Sequence, residues 1–378
     1  MMAHRPDPNV KKNRRRTLRP ARHASSAAAG NPKADNRTGE GSPADIAEAR
    51  NRLSSLMVGN FVNQIFYVAA RLGIPDLLAR GPKTVAQLAR ATESHPRALA
   101  GLMRAMVALD AFAQDGGGRL RLRPMGSLLR SYPGWRSQVL LLGEEYFRCS
   151  SELLHTIKTG EPAFNHVFGA SFYDYLARNR ETAARFNEVM SLSAANRYAD
   201  VPNAYDFSRA STIVDVGGGY GALTALLLKA YPGLRAVLFD SPRAIEGARK
   251  YIAQQGLADR CELVAGNFFE SVPARGDIYL LSSVVVNWDD DRARALLGNC
   301  RRAMGDRTEL VIIDQSFPDG RPPSPTAAVI AVAAHAVQGS IVRTEKDYRT
   351  LLGQAGFKLT RLRPLKQEPL VMICARPV

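Results

Sequence analysis

Gly217, Gly218, Gly219 and Gly221 are the residues whose types and spacing are best suited to chemistry. With Tyr220 they interrupt a β-rich run, Ile213-Val214-Asp215-Val216, and open an apolar stretch from Ala222 to Ala230. Leu223, Leu226 and Leu227 share one face of that stretch and Pro232-Gly233 ends it, so the pattern is a strand, a tight turn and a helix. Glycine is needed where backbone turns sharply and approaches a ligand with no Cβ in the way, and a helix start offers free N–H groups. The spacing is Gly-x-Gly-x-Gly, not the Gly-x-Gly-x-x-Gly of dinucleotide folds, and no Lys-Ser/Thr follows to hold a phosphate. A nucleotide-like ligand without phosphates is favoured. A second β run over residues 236–239 ends at Asp240, about the interval at which doubly wound folds set an acid against ribose hydroxyls. A carboxylate accepts two hydrogen bonds from a vicinal diol, which suits Asp240 to a dinucleotide or an adenosine ligand.

These residues need a sheet to position them, and the following chain supplies one. It alternates a helix over 244–255, strands over 261–265 and 277–286, a helix over 291–304 and a strand over 309–314, the pattern of a parallel sheet covered on both faces. After a helix over 346–355, two β runs, 358–362 and 370–375, form a terminal hairpin. Before the glycines, residues 43–130 read as helices broken at Gly73-Ile74-Pro75, with Ser94 as an N-cap ahead of Pro96. Two short strands around Gly116-Gly117-Gly118 complete a winged-helix-like module. Its second helix carries Arg97 and Arg104 beside Met103 and Met106, too few polar groups to read a major groove, so no nucleic-acid partner is expected. Residues 136–200 are again helical. Tyr146, Phe147, Phe164, Phe168, Phe172, Tyr173, Tyr175 and Phe186 run through them, most expected in the core and the rest available to line a pocket.

The 378 residues carry 51 Lys and Arg against 35 Asp and Glu, a net charge of +16. Residues 1–41 hold ten of the basic and three of the acidic residues in a stretch without apolar periodicity, read here as a disordered tail. Lys11-Lys12-Asn13-Arg14-Arg15-Arg16 has no apolar region after it, and no run approaches eighteen apolar residues, so neither a signal peptide nor a membrane span is expected and the location expected is cytoplasmic. Cys149, Cys261, Cys300 and Cys374 are scattered, with no paired spacing for a metal and no disulfide framework.

In order and spacing, Asp215-Val216-Gly217-Gly218-Gly219-Tyr220-Gly221, Asp240-Ser241-Pro242, Gly266-Asn267-Phe268-Phe269-Glu270-Ser271-Val272-Pro273, Asn287-Trp288-Asp289-Asp290 and Arg343-Thr344-Glu345 resemble the S-adenosylmethionine-dependent small-molecule O-methyltransferases. The resemblance covers residues 45–378. It implies an α/β fold in which a Rossmann-like seven-stranded methyltransferase domain, 206–378, follows a helical winged-helix-like dimerisation domain, 42–135, and a helical linker and substrate-pocket region, 136–205. It also implies an intertwined homodimer, S-adenosyl-L-methionine as cofactor and a small aromatic substrate.

By the same resemblance Gly217, Gly218 and Gly219 approach the methionine part of the cofactor, Asp240 its ribose, and Asn267 and Phe268 its adenine. Ser282 meets the methionine end, and Met190 also belongs to the cofactor set. Relatives usually carry Asp at position 267; Asn267 can still accept through its carbonyl oxygen. Many relatives read His-Asp-Trp-Asp, with the His as general base and two supporting Glu. Here those places hold Val286, Asp314 and Val342, and valine takes no proton. The Asn-Trp form without a base resembles the branch of anthracycline methyltransferases and the related anthracycline hydroxylase. There the position of Asn287 contacts substrate and methyl transfer is an effect of orientation. Asp314 keeps a shortened carboxylate. His335, in a segment that lines the pocket in relatives, is the other group able to act as a base. Deleting residues 1–41 is expected to leave cofactor binding and unfolding unchanged, because nothing in their pattern ties them to a core. Calorimetry and thermal melting of the truncated chain check this.

Overall fold

β-branched and apolar residues in unbroken runs build strands that are buried on both faces, as a parallel sheet between helices requires. In the computed structural model, which describes residues 41–131, 135–274, 276–317, 320 and 322–378, ten strands form. They are β1 (Phe112–Gln114), β2 (Leu120–Leu122), β3 (Thr212–Val216), β4 (Arg235–Asp240), β5 (Cys261–Ala265), β6 (Ile278–Ser282), β7 (Glu309–Phe317), β8 (Arg343–Thr344), β9 (Phe357–Pro364) and β10 (Leu370–Pro377). The main sheet runs β5-β4-β3-β6-β7-β10-β9, with β8 pairing to the end of β7. Its first five strands are parallel, and β10 inserts antiparallel between β7 and β9. The order reverses beside β3, so the loops after β3 and β6 open on the same crevice at the carboxyl ends of the strands.

One expected strand is shorter than its sequence. The apolar run over 277–286 leaves the sheet at Ser282, Ser283 takes a left-handed φ of 55°, and Val285–Asn287 form a single 3-10 turn. The reason is a competing acceptor: the Val286 N–H donates to the Asp314 carboxylate at 2.9 Å instead of to a neighbouring strand. A second correction concerns the helix Pro96–Ala108. Its cap is His95, whose Nδ1 accepts from the Ala98 N–H at 3.4 Å, while the Ser94 hydroxyl bonds to Thr92.

The chain divides into two units at Met57 and Val58. The first contributes the helix Pro43–Met57, none of whose residues is buried. In the second, helices Gly59–Arg71, Ile74–Ala79, Val85–Ala91 and Pro96–Ala108 pack with the β1–β2 hairpin around Leu88, Met103, Met106 and Phe112. Met103 and Met106 are thereby taken into a core. The stretch Pro43–Arg71 reaches a mean hydropathy of 1.2 over its best window, long and apolar enough by length and composition alone to cross a membrane, although polar residues interrupt it. Its Asn63 and Gln64 nevertheless donate to the carbonyls of Leu142 and Gly143, at 3.2 and 2.9 Å. The basic tail expected over residues 1–41 lies, apart from Gly41, outside the described residues.

Those two carbonyls belong to a π turn, Leu142–Tyr146, that continues helix Trp135–Leu141. Gly143 sits so close to Tyr67 that a Cβ would lie 2.4 Å from its side chain. Gly143→Ala is therefore expected to destabilise the chain by about 1–3 kcal/mol through overpacking. Gly101→Ala, in a helix with nothing within 4 Å, should stabilise it by about 0.4–1 kcal/mol. Urea unfolding of both variants checks the pair, and equal behaviour would refute the close packing.

Candidate active site

The glycine turn after β3 is forced into shape by what lies under it. Gly217, Gly219 and Gly221 have φ of 74°, 59° and 83°, a region that costs a side chain strain. Gly218 has an ordinary φ, but a Cβ there would stand 2.7 Å from the carboxyl of Asp215. That carboxyl is buried, receives the Thr224 hydroxyl proton, and is pushed up to about 6 by burial. Asp240, at the end of β4, accepts from the Gly219 N–H at 2.8 Å and from the Ser241 N–H at 2.6 Å. Burial raises its pKa against the pull of those two N–H groups. The far side of Gly219 is open, with no atom within 4 Å of a built Cβ.

The other residues expected at the cofactor gather around this turn. Phe268 approaches Gly217 and sets its ring 6.0 Å from Trp288. Ser282 ends β6 with its Oγ buried and without a hydrogen-bond partner among the described residues. Met190 is 39% exposed on the helix Arg180–Arg197, which is tied to the glycine turn by the bond from Asn187 Nδ2 to Tyr220 Oη, 2.6 Å. Asn267 is exposed, and its amide is turned to its own loop. Its Oδ1 accepts from the Phe269 N–H at 3.0 Å and its Nδ2 donates to Glu270 at 2.9 Å. One lone pair on Oδ1 is left for a ligand.

Across the crevice, the turn over residues 285–290 is clamped from two sides. Arg343, only 2% exposed, donates to Val285 O at 3.2 Å, Trp288 O at 2.8 Å and Asp290 Oδ1 at 2.7 Å. Asp314 holds the Val286 N–H. It has no exposed surface and burial pushes it up to about 7, opposed by that N–H, by Tyr348 and by Arg197. Asp314, expected among the catalytic groups, is placed beneath the turn and fully buried. Val286 is buried with it, whereas Asn287 is half-buried beside the crevice.

Asn287 Nδ2 donates to Ser283 O at 2.9 Å and its Oδ1 accepts from the Ser340 hydroxyl at 3.0 Å. His335 sits at the end of helix Pro325–Gln338 with Nδ1 3.1 Å from the carbonyl of the same Ser340. The structure thus brings Asn287 and His335 onto one residue that the sequence reading did not single out. The available signal was Gly339, in a left-handed cap at φ 72°, which stops the helix and turns the next residue inward.

Of the aromatic residues, Phe164 and Phe172 are core, with Phe168 and Tyr175 packed on them. Tyr173 is 38% exposed and lies nearly parallel to Trp288, centroids 6.3 Å apart. An apolar groove of about 520 Å³ runs past Asn60, Tyr146, Phe147, Leu153, Val332 and Val337.

Residues 151–358 match the model of the O-methyltransferase domain, and residues 54–131 that of the O-methyltransferase dimerisation domain. The chain belongs to this O-methyltransferase family. It is 37% identical over 328 residues to the phenazine O-methyltransferase PhzM of Lysobacter antibioticus, across 86% of this chain and 96% of that one. The solved structure of the mitomycin 7-O-methyltransferase MmcR matches with a TM-score of 0.82 at 31% identity, across 89% of this chain and 99% of that one. The aclacinomycin 10-hydroxylase RdmB of Streptomyces purpurascens is 31% identical across 80% of this chain and 83% of its own length. Another relative, 34% identical across 88% of this chain and 98% of its own, is a phenazine-1-carboxylate N-methyltransferase of Pseudomonas aeruginosa. A structural relative from neocarzinostatin biosynthesis, 28% identical with a TM-score of 0.75 across 84% of this chain and 96% of that one, is solved with S-adenosylmethionine and 2-hydroxy-5-methyl naphthoic acid. This O-methyltransferase-family chain is an S-adenosylmethionine-dependent small-molecule methyltransferase of natural-product biosynthesis. Its dimerisation domain implies a homodimer.

Asp314 gives the site a pH signature. An acid raised on folding contributes stability below its unfolded value, 3.8, and loses it as pH rises through about 7. The wild-type chain should therefore lose stability more steeply than Asp314→Asn between about pH 4 and 7. Urea unfolding at intervals across that range tests this, and parallel curves would remove Asp314 as the source.

Proposed function

We propose that this chain methylates a phenolic or enolic hydroxyl of an aromatic or polycyclic natural product, in the cytoplasm, by orientation and without a His base. On this reading 42–135 is the dimerisation part, 136–205 walls the acceptor pocket and 206–378 binds S-adenosylmethionine, which supplies an activated methyl group on a sulfonium. Three features support the cofactor's place: the open side of Gly219, the unpartnered Ser282 Oγ, and an Asp240 whose oxygens each keep a lone pair for a ribose hydroxyl. Phe268, Trp288 and the spare lone pair of Asn267 offer an apolar slot and an acceptor for adenine, with Met190 on the neighbouring helix.

The observation that carries the reaction is Val286. It occupies the base position as a buried apolar side chain, so Asn287 is the polar side chain its turn offers to the crevice. Asn287 keeps one N–H and one lone pair after its bonds to Ser283 and Ser340, enough to fix an acceptor oxygen. Holding that oxygen in line with the methyl group contributes about 7–11 kcal/mol, while a general base adds only about 10²–10⁴-fold. The acceptor proton leaves to solvent, and a phenol beside a carbonyl needs little help to release it. The apolar groove beside Tyr146 favours a flat acceptor.

A second reading rests on the same valine and on the likeness to RdmB: the cofactor stays intact as a fixed charge while the pocket does other tailoring chemistry. Methyl-labelled S-adenosylmethionine, incubated with aromatic polyketide extracts and with 2-hydroxy-5-methyl naphthoic acid, separates the two. Label should pass to product, and Val286→His should change the rate by less than about tenfold. Substrate consumed with the label left on the cofactor would replace methyl transfer by the second reading.

A further inference from the structure

We infer that Ser340 is the positioning residue for the acceptor, acting through Asn287 with its hydroxyl and through His335 with its carbonyl. This rests on the reading of Asn287 given above and extends it to a residue outside the reacting groups.

Ser340 is 4% exposed and follows the Gly339 cap. Its hydroxyl lies 3.0 Å from Asn287 Oδ1 and 3.3 Å from Gln338 Oε1. A hydroxyl has one proton, and the shorter contact takes it. Asn287 is then fixed at both ends, because Ser283 O accepts only from its N–H and the Ser340 proton is received only by its oxygen. An amide held this way cannot rotate, so the same N–H and the same lone pair face the acceptor in every turnover. The backbone makes the arrangement stiff: the Ile341 N–H donates to Val286 O at 2.6 Å, so the turn carrying Ser340 and the turn carrying Asn287 are stitched together.

The carbonyl of Ser340 does the complementary job for His335. A carbonyl only accepts, so Nδ1 must carry hydrogen and, in the neutral ring, the lone pair sits on Nε2. One residue therefore sets which face of the amide and which nitrogen of the imidazole are available. Gln338 continues the chain outward, its Nε2 donating to Tyr146 Oη at 3.2 Å at the edge of the apolar groove.

The test reads acceptor binding, which does not require turnover. 2-Hydroxy-5-methyl naphthoic acid is titrated calorimetrically into S-adenosylhomocysteine-loaded wild type, S340A, S340T, N287A and the S340A/N287A double variant. Loss of one oriented hydrogen bond should weaken S340A by about 3- to 10-fold, with its affinity for S-adenosylhomocysteine unchanged. S340T keeps the hydroxyl and should restore binding to within about twofold. The double variant should bind no worse than N287A, since the two act as one unit. Unaltered binding by S340A, or losses that multiply in the double variant, would overturn the inference, as would equal loss of the cofactor. If these dependences hold and the wild type still transfers no methyl group, the proposed reaction fails and the role of Ser340 stands.

Discussion

The structure of the site depends on one buried cation. Arg343 leaves water almost completely, and a guanidinium does so only when its N–H groups are all but spoken for. Its planar fork reaches two backbone carbonyls and a carboxylate at once, which lysine's single ammonium could not do in this geometry. The residues it grips, Val285, Trp288 and Asp290, span the turn that carries Asn287. β8 delivers it there, since the pairing of Ser316 with Arg343 extends the sheet by two residues. The ion pair with Asp290 is exposed on the acid's side and contributes little by itself. The carbonyl contacts give the turn its shape.

Asp314 completes the clamp from β7. It has no exposed surface and lies with Val286, which is buried too. Burial pushes it up to about 7, with Tyr348 close to both Asp314 and Arg343 and its own hydroxyl pushed far up. Val286 is thus an apolar cover over a buried acid whose charge is disfavoured by burial. Beside it lies the half-buried amide of Asn287, held by the hydroxyl of the buried Ser340.

The cofactor side follows a different logic, set by close approach. Asp215 fills the space that a side chain at Gly218 would need, and the neighbouring glycines bend backbone through left-handed conformations that lead straight into the helix Ala222–Ala230. Asp240 then locks the turn by accepting the Gly219 N–H. The helix bearing Met190 is joined to this turn through Tyr220, whose ring leaves no room for a side chain at Gly247.

Much of this was legible along the chain. The strand, glycine turn and helix after Thr212, the acid at Asp240, the alternation that builds the sheet and the terminal hairpin are local patterns, set by steric demands and by periodicity within a few residues. The helical module before them could be read for the same reason. What the pattern misled about was decided by partners far away. The run over 277–286 has strand-forming residues to its end, yet it turns at Ser283 because Asp314, 28 residues beyond Val286, claims an N–H. His95 displaced Ser94 as a cap once Thr92 offered the serine a better partner. Ser340 and Asn287 are 53 residues apart, and nothing in either neighbourhood marks them as a pair. The sequence by itself determined which backbone shapes were accessible, because those follow from residue type. Which side chains meet over the crevice was decided only by the tertiary structure, because one hydroxyl proton and one carbonyl select their partners by distance in space.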